Sequence, residues 1–139
     1  MKTITLKASG AQTASVTGTS LSLEEVFGQA LFTLDVTAAA TAVGDTLDVY
    51  VDFSYDNATW INAIHFTQVL GNGGAKREIA KITSEALNDP DAVLAVSADC
   101  ASGVTRNIGV LPYVRYRSAI TDADTDDASF TYSLTALLF

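Results

Sequence analysis

The chain is poor in the residues that most often carry chemistry. It has one cysteine, Cys100, so an internal disulfide is excluded and nothing signals an oxidising compartment. It has one histidine, His65, and only 8 basic residues against 16 acidic ones, a net charge of −8. Nucleic-acid binders gain much of their affinity by neutralising phosphates with Lys and Arg, and anionic membrane surfaces ask for the same residues. Neither nucleic acid nor membrane is therefore expected as a partner. The longest apolar runs, at 92–96 and 136–139, fall far short of the roughly 20 residues that cross a bilayer. The first seven residues alternate polar and apolar without a continuous hydrophobic stretch, so no signal peptide is expected and synthesis is placed in the cytoplasm.

What is present points to strands. Lys, Arg and Glu total 12 residues while Ser and Thr total 28, a balance that suits strands and turns better than solvated helices. With 139 residues, 48% of them apolar and 17% charged, the chain can bury a core and is expected to form one domain over 1–139. Residues 31–37 place Phe32, Leu34 and Val36 on one side and Thr33, Asp35 and Thr37 on the other. Residues 47–55 alternate the longest, with Leu47, Val49, Val51, Phe53 and Tyr55 facing one way and Asp48, Tyr50, Asp52 and Ser54 forming a wet face. In 130–138 the residues Phe130, Tyr132, Leu134, Ala136 and Leu138 share a face. Leu137 and Phe139 lie opposite it, which fits either spare contact surface or a central strand.

Further strands are expected from residue 3, at 60–70 and 76–83, the last pair joined as a hairpin by Gly71-Asn72-Gly73-Gly74. Another is expected at 108–118, with Arg115 and Arg117 on the same face as Tyr113, and Val114 and Tyr116 on the other. Pro112 implies an edge or bulge at its start. Residues 8–22 read as an edge or a crossing loop, 24–29 as a short helical turn, and 92–96 as a short buried strand or helical turn after the break at Asn88-Asp89-Pro90-Asp91. The expected fold is all-β: a single antiparallel β-sandwich, jelly-roll or immunoglobulin-like, of seven or eight strands.

Candidate chemistry is sparse. His65 shares its strand face with Ile61, Ala63, Thr67 and Val69, without an acidic neighbour, and reads as a structural imidazole; Cys100 has no Cys-x-x-Cys partner and reads as a packed thiol. No catalytic residue and no cofactor is expected. Asp122, Asp124 and Asp126 are the one candidate metal set, with carboxylates that could converge on a hard cation such as Ca²⁺, although the spacing is not that of an EF-hand. The alternative is a solvated loop. Ser54-Tyr55-Asp56-Asn57-Ala58-Thr59-Trp60 resembles the Asp-box turn of sialidases and other β-proteins, where the motif is structural. Tyr50, Tyr55, Trp60, Tyr113, Tyr116 and Tyr132 could form a sugar-stacking platform, against the alternative that several of them pack in the core.

The segments Lys7-Ala8-Ser9-Gly10-Ala11-Gln12-Thr13-Ala14-Ser15, Leu34-Asp35-Val36-Thr37-Ala38-Ala39 and Thr46-Leu47-Asp48-Val49-Tyr50-Val51 open an ordered series. Ser54-Tyr55-Asp56 with Trp60, Phe66-Thr67-Gln68-Val69 before a Gly-rich turn, Val114-Arg115 and Ser129-Phe130-Thr131-Tyr132-Ser133 complete it. In that order they resemble the small β-sandwich virion proteins of tailed bacteriophages. The resemblance covers most of the chain and departs from the pattern at 84–103 and at Asn57-Ala58. It implies a non-enzymatic capsid decoration (cement) protein on the outside of the head, with the major capsid protein or neighbouring virion proteins as partners. It also implies a homo-oligomer, such as a trimer. A neck, head-tail or tail component and a carbohydrate-binding module for host attachment are the alternatives.

Overall fold

The computed structural model describes residues 1–83, 95–96 and 98–139. The expected break at Asn88-Asp89-Pro90-Asp91 and most of the segment at 92–96 lie outside the described residues. Elsewhere the chain forms strands β1 (Lys2–Gln12), β2 (Val16–Thr17), β3 (Leu21–Ser22), β4 (Gln29–Ala38), β5 (Thr46–Ser54) and β6 (Trp60–His65). These are followed by β7 (Val69–Leu70), β8 (Lys76–Thr83), β9 (Val104–Thr105), β10 (Tyr113–Thr121) and β11 (Phe130–Leu138). Four of the eleven are two-residue pairings, which leaves seven longer strands, as the alternation predicts. No helix lies among the described residues, and so none long enough to cross a membrane.

All pairings are antiparallel. One sheet has the order β1-β11-β4-β8; the other runs β2-β10-β5-β6-β9, with β3 also on β10 and β7 on β5. Counting β2 and β3 as one interrupted strand, and leaving aside the short β7 and β9, the orders are first-eighth-third-sixth and second-seventh-fourth-fifth. That connectivity is a jelly roll, two Greek keys folded face to face, and it decides between the two sandwich types. The predicted inner faces form the core: Phe32, Leu34, Leu47, Val51, Phe53, Val114, Phe130, Tyr132, Leu134 and Leu138 are buried. Phe32 of one sheet meets Phe53 of the other edge-on, with ring centroids 5.9 Å apart. Each such side chain stabilises the fold by about 1.5–3 kcal/mol over leaving it exposed.

Several local expectations need correction. Residues 8–22 are both edge and crossing: β1 runs to Gln12 through two register shifts, and the chain then passes to β10 of the other sheet. Residues 24–29 form no helical turn, because Glu24 adopts φ 63°, outside helical space, and Gly28 N–H bonds to Phe139 O. Strand β5 ends at Ser54, and Tyr55 is exposed in the following turn instead of lying on the inner face. Residues 60–70 split into β6 and β7. Gly71-Asn72-Gly73-Gly74 closes no hairpin: β7 pairs with β5 but β8 pairs with β4, so the turn carries the chain between sheets. Only glycine fits at 71, where a Cβ would stand 1.9 Å from Ala42 O. Pro112 precedes β10, which pairs with β5 along its length and on its other side with β3 at Tyr113 and Val114 and with β2 at Arg117 and Ser118. Strand β11 lies centrally between β1 and β4; Leu137 is partly covered, whereas Phe139 is half exposed.

Candidate functional site

The polar groups of the molecule concentrate on the outer face of the second sheet. Asp52, assigned by alternation to a wet face, is 1% exposed. Register explains why: Arg115 of β10 lies opposite it, and Arg117 is one repeat further along the same face. Arg117 Nε and Nη2 donate to Asp52 at 2.6 and 2.9 Å, Arg115 Nε at 3.1 Å, and Asn62 Nδ2 at 3.1 Å. Two oxygens thus receive a bidentate guanidinium, a second guanidinium and an amide, the set that makes a buried carboxylate tolerable. Burial works against the Arg117 charge, but hydrogen bonds to Asp52 and Asp99 outweigh it and hold the guanidinium further above its ordinary range. Both arginines also lie over rings, Arg115 at 4.3 Å from the Trp60 centroid and Arg117 at 4.6 Å from that of Tyr50. A hollow of about 270 Å³ opens above Asp52, walled by Trp60, Val96, Asp99 and the two arginines.

His65 joins this face, contrary to the expectation that it lacks an acidic neighbour. Asp52 pairs with Asn62 but Val51 pairs with Ile64, so Ala63 is an extra residue. A bulge of this kind reverses the parity of the strand, and it turns His65 away from the face of Ile61 and Ala63. The ring lies against Tyr50, centroids 4.2 Å apart, with Nε2 2.7 Å from Asp48 Oδ1 and Nδ1 2.8 Å from Cys100 O. Gln68 Nε2 donates to the other Asp48 oxygen at 2.9 Å. The ring thus ties Asp48 of β5 to the Cys100 backbone. Cys100 is buried, its N–H donates to Asn62 Oδ1 at 2.8 Å, and burial pushes its thiol up. It has the character of packing, not of a nucleophile.

The aspartate loop assembles differently from the sequence expectation. Asp122 and Asp124 converge with Asp45, each offering an oxygen within 4.8 Å of the others, whereas Asp126 is not part of that group. Asp45 is 2% exposed and its Oδ1 accepts the Ala123 N–H at 2.9 Å. Asp122 Oδ1 and Asp124 Oδ1 accept the backbone N–H two residues on, the Asx turns that a solvated loop needs. Three carboxylates supply part of the six to eight oxygens that Ca²⁺ takes. Asp45 carries no sequence signal linking it to this loop.

Asp56 holds the turn between β5 and β6 together. Asp56 accepts from the N–H of Thr59 and Ala58 and from the hydroxyls of Ser54 and Thr59, and these bonds, Thr59 N–H first, hold its carboxyl down at about 2. The six aromatic residues do not share one surface, and Tyr113 lies at the start of β10. Tyr116 and Tyr132 are core residues, Tyr55 stands in a turn, Trp60 carries Arg115 against its ring, and Tyr50 carries His65 and Arg117.

The two ends of the sandwich differ. One carries Asp45, Asp122, Asp124, Asp126 and Asp127 in the connections between β4 and β5 and between β10 and β11. The other carries Val26 at 100%, Met1 at 89% and Phe139 at 50% exposure, while Val43 and Leu70 are the exposed apolar residues of the acidic end. The first three are neighbours, since Lys2 pairs with Leu138 and Phe139 bonds through its backbone to Gly28 and Gln29. No protein-family model matches the chain, and no curated protein matches it.

Proposed function

We propose that the chain is a non-enzymatic structural protein of a tailed-bacteriophage particle, bound to the outside of the assembled head as a decoration (cement) protein. The single observation that carries this reading is the division of the surface. Charged and ring side chains on the outer sheet face are engaged with one another, and Met1, Val26 and Phe139 stand exposed at one end of the sandwich. Such a surface suits docking better than turnover. The −8 charge suits an exterior position, away from packaged DNA. The partner is the major capsid protein or a neighbouring virion protein, and β1 and β8, the outer strands of their sheet among the described residues, support self-association into a small oligomer such as a trimer. Cement works by mass action: a ligand that binds assembled subunits and not free ones shifts the equilibrium towards the shell.

The test is the copy number of the chain per particle, by quantitative mass spectrometry against the shell subunit. Copies comparable with the shell subunit support decoration. A ring's worth of copies moves the chain to the neck or tail, and absence from the particle ends the virion reading.

A further inference from the structure

Arg115 and Arg117 share Asp52 but are used differently. Arg117 is spent along its whole guanidinium, with Nε and Nη2 on Asp52 and both Nη atoms on Asp99. Arg115 donates to Asp52 through Nε at 3.1 Å and lies 4.3 Å from the Trp60 centroid. Its Nη1 and Nη2 have no hydrogen-bond partner among the described residues. The anchor is firm, because Asp52 is buried and is also fixed by Arg117 and Asn62. With 22% of its side chain in solvent, Arg115 is held yet reachable, and it helps wall the hollow of about 270 Å³. A guanidinium tied at Nε and laid on a ring has already lost most of its rotamer freedom, so a ligand meeting its Nη1–Nη2 edge bears little of that entropy cost.

We propose that this edge of Arg115 is a carboxylate-binding subsite. Two parallel N–H···O bonds from Nη1 and Nη2 match the two oxygens of a carboxylate. Size and charge narrow the ligand further. The hollow lies below the roughly 300–1,000 Å³ of sites that enclose a whole drug-sized molecule, so it takes a small group and not a nucleotide or an oligosaccharide. Its walls set Arg115 and Arg117 against Asp52 and Asp99, two charges of each sign. A monoanion adds one charge to that balanced set, whereas a phosphate dianion doubles the repulsion from both aspartates. Trp60 and Val96 supply an apolar wall for the carbon that a carboxylate carries behind it. The ligand is thus the carboxylate of a small acid, or of an acidic side chain presented by another protein. The subsite stands whether or not the chain decorates a head.

Trp60 is the only tryptophan of the chain, so its emission reports on the subsite. Purified chain is titrated with sodium acetate, with sodium phosphate and with a blocked tripeptide carrying one glutamate, ionic strength being held constant with chloride. A saturable change in emission is expected with acetate or the tripeptide. The guanidinium NMR signals of Arg115 in the wild-type chain are expected to shift over the same range, a readout that needs no variant. Arg115→Lys keeps the charge beside Asp52 but loses the two-pronged edge. It is expected to bind at least about ten-fold more weakly, the worth of one charge-assisted hydrogen bond. Arg77→Lys, on β8 of the other sheet, is expected to bind as the wild type. A tripeptide that binds about ten-fold tighter than acetate supports a protein side chain as the source of the carboxylate; otherwise binding supports a small acid. No saturable response to either carboxylate, wild-type binding by Arg115→Lys, or an equal loss in Arg77→Lys overturns the subsite. Phosphate binding as tight as that of acetate overturns the preference for a carboxylate.

Discussion

Replacing Asp52 with alanine removes the carboxylate on which two guanidinium groups and the Asn62 amide converge. Asp52 is 1% exposed, so the loss belongs with broken buried pairs, which cost about 3–5 kcal/mol, and not with surface pairs. The lower end of that range applies, because the Arg115 and Arg117 side chains keep 22% and 25% of their surface in solvent and Arg117 retains Asp99. For a domain of this size a loss of about 3 kcal/mol lowers the melting temperature by roughly 9–15 °C. Urea denaturation followed by circular dichroism, with calorimetry alongside, measures both quantities. Replacing all three groups at once, as Asp52→Leu/Arg115→Met/Arg117→Met, is expected to recover most of the loss, since the only charge left without its partner is that of the exposed Asp99. An Asp52→Ala cost below about 1 kcal/mol, the worth of an exposed pair, refutes the argument that this cluster is part of the packed structure.

Two further outcomes follow from the same geometry. The Asp56 carboxyl is held at about 2 by the turn it caps, so its contribution is fully present above the ordinary carboxylate range and disappears as the pH falls through about 2. The melting-temperature gap between wild type and Asp56→Ala is therefore expected to close from pH 5 to pH 2, and a gap independent of pH counts against those bonds. His65→Ala removes the side chain that bridges Asp48 and the Cys100 carbonyl. Maleimide labelling of the otherwise buried Cys100 is expected to accelerate more than ten-fold, in line with losing charge-assisted hydrogen bonds, and an unchanged rate means the segment is held by other contacts.

The inner faces were legible because alternation reports burial one residue at a time, and Phe32, Val51 and Leu134 each fall where a period of two puts them. Ala63 shows where that rule stops. One extra residue reverses the face of His65, and nothing in Trp60-Ile61-Asn62-Ala63-Ile64-His65 marks it. Asp52 was read as solvated because its arginine partners come from β10, far along the chain, and only the register of β5 and β10 brings them together. Asp45 joins Asp122 and Asp124 for a similar long-range reason, whereas the position of Asp126 depends on the path of its loop. The helical turn expected at 24–29 failed for a local reason: Leu23 and Phe27 have helix-like spacing, but both are claimed by the core while the backbone between them turns left-handed.

The pairing of β1 with β11 has a bearing on how the protein is made. Lys2 finds its partner only at Leu138, and β11 also separates β1 from β4. Strand β1 must wait for a strand more than a hundred residues later before it has a partner. The fold is thus of high contact order, and until β11 emerges the growing chain exposes β1 and β4 without the strand that joins them. Removing β11 would take the middle out of the sheet rather than trim its margin, and an emerging chain stalled shortly before Phe130 would hold a second sheet facing no complete partner.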